Sequence, residues 1–427
     1  MSRDTFNLKK NVLFSVVTFV VNVAVVVLGY KLVIYFHGLE SVGLWSLLVA
    51  WASLARLGDV GMGGAVIRFV SSLDKTAAPV KVKQYLDTAF VMNLVAFSLL
   101  SAIGYWVLNL LLPSLVNDSA VLGAKSLLVI VFLSMFASSM ASVVIASLQS
   151  VHLGYVGSYI SMIGNVIQIV LVVLWVPKLG VAGLGWAQFA QFAFMALVGW
   201  WLVSKNIGDR SCIPTGFSLA VLREMLSFSI KAQVANVLNG LFEPVSKILM
   251  GQFGDLKVQG AYELAYKVVS LTRNAVVTGL FASLPVLTNM LANSASEARA
   301  FYVSSQAKVN KAMLFVLGFV VLVSPVVSWI WIGDINHQFM GFVLLVGAGY
   351  WVNTRGATAY NLGMATGRMR NNIFVSAVMI FVLLVTGFIL SAWVGMFGPA
   401  FSVAISLSVG GILIKSLNER FLQPEAA

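Results

Sequence analysis

Long apolar runs separated by short polar stretches cover most of the sequence. Each run reaches the length of about 20 residues that an α-helix needs to cross a bilayer. A transmembrane β-strand would instead alternate apolar and polar residues over about 10 positions. The pattern therefore predicts twelve transmembrane helices, at 11–36, 42–70, 86–111, 121–149, 153–176, 181–204, 225–251, 258–290, 312–333, 339–366, 373–395 and 397–417.

The composition also indicates an integral membrane protein. Of the 427 residues, 59% are hydrophobic and 10% are charged, whereas soluble domains carry about 25% charged residues. The mean hydropathy is +0.94, and a soluble fold of this size could not hide so much apolar surface. The longest connections are 71–85, 205–224 and 291–311, so we expect no separate extramembrane domain.

The basic residues of the loops indicate the orientation in the membrane. Sixteen Lys and Arg residues fall at the termini and in the even-numbered loops, against Lys178 and Lys257 in the odd-numbered loops. Lys and Arg concentrate on the cytoplasmic side of membrane proteins, so we expect both termini in the cytoplasm. The net charge of +12 then reflects topology, and we expect no nucleic-acid partner.

An internal repeat divides the chain. When the sequence is shifted by 217 residues, GLWSLLVAWASLARL (43–57) aligns with GAYELAYKVVSLTRN (260–274), and Arg56 falls on Arg273. Chance similarity between two apolar helices is the alternative, but arginine is rare in membrane spans. An even number of helices per copy predicts two parallel six-helix lobes around a central cavity. The first lobe, the cytoplasmic linker and the second lobe are predicted at 1–204, 205–224 and 225–427.

Charged residues inside the predicted spans mark the candidate site. Nine of the 27 basic residues lie in spans, against three acidic residues. Three of the nine lie near span ends, from where their side chains can reach the membrane surface. Six embedded cations therefore face three anions. Because charges at membrane depth are costly and commonly line a cavity, this surplus predicts a pathway for an anionic substrate.

Four embedded cations and one acid are the candidate substrate-binding residues. Arg273 and Arg355 have no acid three or four positions away on their own helices. Asp59 follows Arg56 at i+3 and can neutralise it. A guanidinium fork is well shaped for phosphate, whereas pairing with backbone carbonyls or with an acid on another helix is the alternative. The complete set is Arg56, Asp59, Lys231, Arg273 and Arg355.

Two i,i+4 pairs form a second candidate cluster. Glu243 precedes Lys247 on the seventh span, and Glu263 precedes Lys267 on the eighth. Both pairs place Glu on the N-terminal side, which is the favourable order on a helix. One interpretation is a structural charge network that holds the second lobe together. The other is a coupling site for H+ or Na+, because carboxylates at membrane depth often serve ion pathways.

The sequence lacks the motifs of the common enzyme classes. No G-x-x-x-x-G-K-[ST] segment occurs, so the chain is not an ATPase of the P-loop kind. His37, His152 and His337 are scattered and give no metal-ligand spacing. No nucleophile lies in a recognisable arrangement with a base. We therefore expect no enzymatic activity, no metal and no cofactor.

Three segments resemble the polysaccharide flippases of the multidrug/oligosaccharidyl-lipid/polysaccharide exporter superfamily. They are GLESVGLWSLL with LGDVGMGGAVIRFV (38–70), EPVSKILMGQFGDLKVQGAYELAYKVVSLTRN with LPVLTNM (243–290), and NLGMATGRMRNN (361–372). The resemblance implies two six-helix bundles and, by position, a diphosphate held by Arg56 and Arg273. Many members of that family carry an aspartate where this chain has Glu243.

The resemblance also implies a function. Such a protein moves a polyprenyl-diphosphate-linked oligosaccharide from the cytoplasmic to the periplasmic leaflet of a bacterial inner membrane. The transported glycan serves surface polysaccharide biosynthesis, for example of the O-antigen of lipopolysaccharide. The expected partners are the lipid-linked oligosaccharide, membrane lipids, and the glycan polymerase and glycosyltransferases of the same pathway.

Three other functions remain as alternatives. A cation-coupled multidrug exporter of the same superfamily would favour embedded carboxylates, and the surplus of cations argues against it. A facilitator-type solute transporter would carry a basic signature after the second span, which 71–84 lacks. A membrane-embedded glycan polymerase or ligase would usually have a large periplasmic loop, and the sequence predicts none.

Cysteine labelling tests the orientation. With Cys212 replaced by Ser, single cysteines at positions 118, 256 and 336 should react with an impermeant reagent added outside the cell. Cysteines at positions 80, 210 and 370 should not react, because the basic loops are expected to face the cytoplasm. The opposite labelling pattern would reverse the orientation.

Overall fold

The computed structural model describes residues 2–55, 61–71, 73, 79–116, 118–208, 212–281, 287, 290–291, 294–366 and 369–422. Within these ranges every regular element is helical, which confirms the predicted all-α class. The α-helices are α1 (Ser2–His37), α2 (Leu39–Ser53), α3 (Met62–Ser71), α4 (Pro79–Leu115), α5 (Asp118–Ser150), α6 (Gly154–Leu179), α7 (Val181–Asn206), α8 (Leu219–Phe253), α9 (Leu256–Phe281), α10 (Ala295–Ile332), α11 (His337–Thr354), α12 (Ala357–Ala365), α13 (Arg370–Val394) and α14 (Gly398–Asn418).

The prediction of twelve helices is wrong in number, because two predicted spans are each divided. The span predicted at 42–70 contains α2 and α3, and Gly61 precedes α3 with a φ of 68° that favours glycine. The span predicted at 339–366 contains α11 and α12, separated by a turn at Arg355 and Gly356. Both breaks lie at short stretches with polar residues and glycine, RLGDVG (56–61) and NTRG (353–356), which the prediction included within continuous spans.

The helix lengths fit a multi-pass membrane protein. Seven helical stretches within the described residues are long and apolar enough to cross a membrane. They are Val20–His37, Pro79–Leu115, Val121–Ser150, Gly154–Leu179, Val181–Asn206, Ser296–Ile332 and Arg370–Asn418. The last stretch contains both α13 and α14, whereas α8 and α9 carry all four charges of the second cluster.

The helix boundaries agree with the 217-residue repeat. Shifting the first residues of α1, α2 and α4 by 217 gives positions 219, 256 and 296, and α8, α9 and α10 begin at 219, 256 and 295. The same shift places the starts of α6 and α7 at 371 and 398, where α13 and α14 begin at 370 and 398. One difference is that α5 is continuous, whereas the corresponding part of the second half is divided into α11 and α12.

The first compact unit consists of Met1–Ser41 and Trp51–Val237. In it, α5 packs against α4, α6 and α7, and α1 packs against α6. The buried core includes Tyr85, Leu148 and Trp200. Successive helices of this unit are therefore joined by short connections and bury one continuous apolar core.

The chain that follows α7 is bound to the start of α4. The backbone N–H of Gly216 donates to the Asp87 carboxylate at 2.8 Å, and that of Ser218 donates to the Thr88 hydroxyl at 3.0 Å. The Trp200 indole N–H donates to the Cys212 carbonyl at 2.9 Å. These bonds fix the path of the chain into α8.

The second compact unit consists of Val42–Ala50 and Leu238–Ala427. In it, α14 packs against α11, α12 and α13, and α9 packs against α10 and α11. A Cβ atom at Gly356 would clash with the Gly411 backbone, and one at Gly411 would clash with the backbone of Asn353. Glycine at both positions therefore lets the two helix backbones approach closely, as is common between membrane helices.

The middle of α2 belongs to this second unit and packs on α9. Gly43 lies against the backbone of Leu256 and Gly260, and the Ser46 hydroxyl donates to Glu263 at 2.7 Å. Both Gly43 and Ser46 contact the residue that lies 217 positions further along the chain. Residues that the repeat aligns therefore meet directly at this crossing.

Replacing Gly43 with Ala should destabilise the protein. The added Cβ would clash with the Leu256 carbonyl, and overpacking of this kind costs about 1–3 kcal/mol. Gly318→Ala is the matched control, because a Cβ at Gly318 meets no atom within 4 Å. Thermal unfolding of the purified variants should show a lower Tm for Gly43→Ala only, and equal Tm values would contradict the close crossing.

Candidate functional site

A cavity of about 490 Å³ lies within the second unit. This volume is within the range of about 300–1,000 Å³ that is common for small-molecule sites. Helices α8, α9, α11, α12, α13 and α14 all contribute to its wall. The charged, amide, hydroxyl and phenol side chains in the wall are those of Asn239, Glu243, Tyr266, Lys267, Ser270, Arg273, Asn274, Tyr350, Asn353, Tyr360, Asn372 and Ser376.

Two lysines and two glutamates from α8 and α9 form one ion network. The Lys247 Nζ lies 2.6 Å from Glu243 Oε1 and 2.6 Å from Glu263 Oε2. The Lys267 Nζ lies 3.3 Å from Glu243 and 3.9 Å from Glu263. Each cation therefore contacts both anions, and the four charges sum to zero.

The network is buried at one end and open to the cavity at the other. The side chains of Lys247 and Glu263 are 7% and 1% exposed, whereas those of Glu243 and Lys267 are 37% and 28% exposed. Ser46 donates to Glu263 at 2.7 Å, and Gln259 in turn donates to the Ser46 hydroxyl at 3.3 Å. The buried pair is therefore hydrogen-bonded as well as paired, as a buried charge requires.

A pair of tyrosines lies between the ion network and Arg273. The Lys247 ammonium lies 5.6 Å from the ring centre of Tyr266, whose hydroxyl lies 2.8 Å from that of Tyr350. The Arg273 guanidinium lies 5.8 Å from the ring centre of Tyr350. Both lysine and arginine are therefore within the usual range of a cation–π interaction with this pair.

Arg273 differs from the two lysines in having no anionic partner among the residues that the structure describes. Among the described residues, no carboxylate lies within salt-bridge distance, and the guanidinium bonds only to Asn274 Oδ1, at 3.2 Å. Its Nε is buried and has no hydrogen-bond partner in the described part of the chain. The residue lines the cavity, so it provides a positive charge and unused N–H donors there.

An uncharged polar cluster forms another part of the cavity wall. The Asn239 side-chain amide donates to the Tyr360 hydroxyl at 3.1 Å, and Ser376 donates to Asn239 Oδ1 at 2.7 Å. Asn372 donates to the Tyr360 carbonyl at 3.1 Å. Asn353 donates to the Leu407 carbonyl at 3.0 Å, on the α11 side of the break. The cluster is therefore held in place by helices α8, α11, α12, α13 and α14.

The other predicted site residues lie either away from this cavity or outside the part of the chain that the structure describes. Arg56 and Asp59 fall outside the described residues, and for Lys231 the structure describes the helix but not the side chain. Arg355 stacks on Trp351, with the guanidinium 4.2 Å from the ring centre, and is not among the residues of the cavity wall. The structure thus brings Arg273 together with Glu243 and Lys267, but not with Arg355.

Sequence reasoning missed several residues of this cavity. Asn372 was not identified because it lies just before the span predicted at 373–395, and Asn353 and Ser376 were not identified because a single polar residue in an apolar span usually serves helix packing. Ser46 was missed for the same reason, although it is the residue that the repeat aligns with Glu263. Treating every asparagine inside a predicted span as a possible cavity residue would have found Asn353, but not Asn372, which precedes the span predicted at 373–395.

Comparison with solved structures defines the fold class. The chain is similar to a multidrug resistance transporter of the MATE family in an inward-facing conformation, with a TM-score of 0.79 and 15% identity over 94% of this chain and 95% of that one. It is also similar to the lipid II flippase MurJ, with a TM-score of 0.74 and 12% identity over 96% and 87%. A MOP superfamily transporter from Pyrococcus furiosus gives a TM-score of 0.65 and 14% identity over 97% and 96%. The chain therefore has the same fold as these MATE and MurJ transporters.

The family follows from the sequence itself. The model of the polysaccharide biosynthesis protein family matches residues 38–334, and the chain belongs to this family. No curated protein sequence matches the chain. The family and the fold agree with the resemblance drawn from the three sequence segments.

Removing one carboxylate from the ion network should destabilise the second unit. In Glu263→Gln, the buried Lys247 would keep Glu243 as its one described anionic partner, and breaking a buried ion pair costs about 3–5 kcal/mol. Glu243→Gln should cost less, because that side chain is 37% exposed. Tm and the amount of protein in the membrane are the measurements.

A double variant separates a structural role from ion coupling. Replacing both Lys247 with Met and Glu263 with Gln removes the pair together, and such replacements are often neutral. The double variant should therefore recover most of the stability lost in Glu263→Gln. If Glu263→Gln folds as well as the unmodified chain but loses dependence on an H+ or Na+ gradient, the ion-coupling interpretation is the better one.

Proposed function

We propose that this protein is a flippase that moves a polyprenyl-diphosphate-linked oligosaccharide from the cytoplasmic to the periplasmic leaflet. The glycan would serve surface polysaccharide biosynthesis, in keeping with the family. The protein would lie in a bacterial inner membrane with both termini in the cytoplasm, as the loop charges favour. It would act as a transporter and not as an enzyme.

The observation that carries this proposal is which charged residues of the cavity are paired with an opposite charge. Lys247 and Lys267 are both matched by Glu243 and Glu263, so they add no net charge. Arg273 adds one positive charge without a described carboxylate beside it. A guanidinium can bind phosphate oxygens through two parallel N–H donors. The cavity is therefore suited to a diphosphate.

The repeat extends the proposal to a mechanism. Arg56 is the residue that the repeat aligns with Arg273, and we assign it the same role in the first lobe. The two lobes, 1–204 and 225–427, would alternate in access around the linker at 205–224. The polyprenyl chain would remain in lipid while the diphosphate and the sugars cross inside the protein, since charged groups are costly in hydrocarbon.

A multidrug exporter is the main alternative, because one of the similar structures is a multidrug transporter. A site for cationic drugs would need an excess of carboxylate in the cavity. The described wall instead combines one glutamate, Glu243, with Lys267 and Arg273. The charge balance therefore favours an anionic substrate.

Replacing Arg273 tests the proposed function. Losing a hydrogen bond to a charged group costs about 1.5–3 kcal/mol, which is roughly 10- to 150-fold in binding. Arg273→Ala should therefore strongly reduce glycan export, and Arg273→Lys should restore little, because an ammonium lacks the bidentate fork. Arg299→Ala is the control, since Arg299 is exposed near the start of α10. Surface glycan and membrane protein level should be measured together.

Two outcomes would contradict the proposal. One is normal glycan export by Arg273→Ala at a normal protein level. The other is an equal loss in Arg299→Ala, which would show that any arginine in this half matters for a reason other than the cavity. If Arg273→Ala lowers the amount of protein in the membrane, Arg273→Lys, which keeps the positive charge, separates a loss of folding from a loss of phosphate binding.

A further inference from the structure

The uncharged cluster of the cavity has polar atoms that its internal bonds do not use. The Tyr360 hydroxyl accepts a hydrogen bond from Asn239, and no described residue accepts its own proton. The Asn353 amide N–H2 group donates to the Leu407 carbonyl, and its side-chain oxygen has no partner among the described residues. A hydroxyl both donates and accepts, and an amide oxygen accepts twice. The wall therefore offers a donor and an acceptor to a ligand.

The chemistry of this cluster matches the hydroxyl groups of a sugar. Its side chains are amides, a hydroxyl and a phenol, and none of them is charged. Sugar hydroxyls need both donors and acceptors, which amides and hydroxyls supply. The ring of Tyr360 adds an apolar surface for the sugar's C–H face.

The position of the cluster determines which sugar it would meet. Arg273 and the cluster line the same cavity of about 490 Å³. In a polyprenyl-diphosphate-linked oligosaccharide, the first sugar is bonded directly to the diphosphate. A ligand whose phosphate reaches Arg273 would therefore place this first sugar, and not a distal one, against the cluster.

We propose that Asn239, Asn353 and Tyr360 form a subsite for the first sugar of the lipid-linked substrate, and that this sugar is uncharged. The proposal rests on the proposed function, because the sugar is brought there by its diphosphate. The cluster provides no cation to balance a uronic acid, Lys267 is paired with Glu243, and Arg273 is assigned to the diphosphate. An acidic first sugar would therefore lose solvation without gaining an ion pair, which is costly. Asn372 and Ser376 are positioning residues that hold the cluster.

The test measures the binding of three probes to the purified full-length protein. The probes are farnesyl diphosphate, farnesyl diphosphate linked to N-acetylglucosamine, and farnesyl diphosphate linked to glucuronic acid. The N-acetylglucosamine probe should bind about tenfold more tightly than farnesyl diphosphate, as one or two additional hydrogen bonds would give. The glucuronic acid probe should show no such gain.

Matched substitutions assign the gain to the cluster. Tyr360→Phe and Asn239→Ala should remove most of the tenfold gain while leaving the Kd for farnesyl diphosphate unchanged. Tyr302→Phe is the control, since Tyr302 lies outside the cavity wall and its hydroxyl donates to Glu419. This control should keep the full gain. Arg273→Lys should weaken all three probes by the same factor and preserve the gain.

Each other outcome overturns a defined part of the proposal. If the unmodified protein binds farnesyl diphosphate and the N-acetylglucosamine probe equally, the subsite fails and the proposed function stands. If it binds none of the probes, both fail. An equal gain for glucuronic acid overturns the uncharged sugar. A Kd that responds to Na+ in the unmodified chain but not in Asn239→Ala, without any sugar gain, assigns the cluster to a cation instead.

Discussion

The pairing of Lys247 with two carboxylates is the interaction on which the second unit depends. A lysine whose side chain is 7% exposed cannot be solvated, and an uncompensated charge there would cost several kcal/mol. Glu243 from its own helix and Glu263 from the neighbouring helix both lie 2.6 Å away. Because the two glutamates come from α8 and α9, the pairing fixes the relative position of these helices. Ser46 adds α2 to the same arrangement.

This neutral network determines the electrostatics of the cavity beside it. If Lys247 and Lys267 were unmatched, the cavity would hold several positive charges and would attract anions without discrimination. Since both are matched, the net charge of the described wall comes from Arg273 alone. The neighbouring part of the cavity wall is formed by uncharged amides and phenols. Their directed hydrogen bonds distinguish ligands by shape as well as by charge.

The sequence predicted the parts of this structure that depend on hydrophobicity and charge. It predicted an all-helical membrane protein, the repeat, and the four charges that the structure joins, because such residues are exceptional in membrane spans. It did not predict the break at Gly356 or the role of Asn353. Both depend on contacts with α14: Gly356 lies against Gly411, and Asn353 donates to the Leu407 carbonyl. Close contacts between distant segments leave no mark in the apolar pattern.

The two halves share helix boundaries but differ in their charged residues. The 217-residue shift aligns Arg56 with Arg273 and Asn22 with Asn239, so both halves carry a cation and an amide at matching positions. The ion network has no such counterpart: Glu243, Lys247, Glu263 and Lys267 fall on Val26, Tyr30, Ser46 and Ala50. At one of these positions the repeat aligns Ser46 with Glu263, and the Ser46 hydroxyl donates to the Glu263 carboxylate. The halves therefore share a cation and an amide at matching positions, while the charge network is specific to the second half.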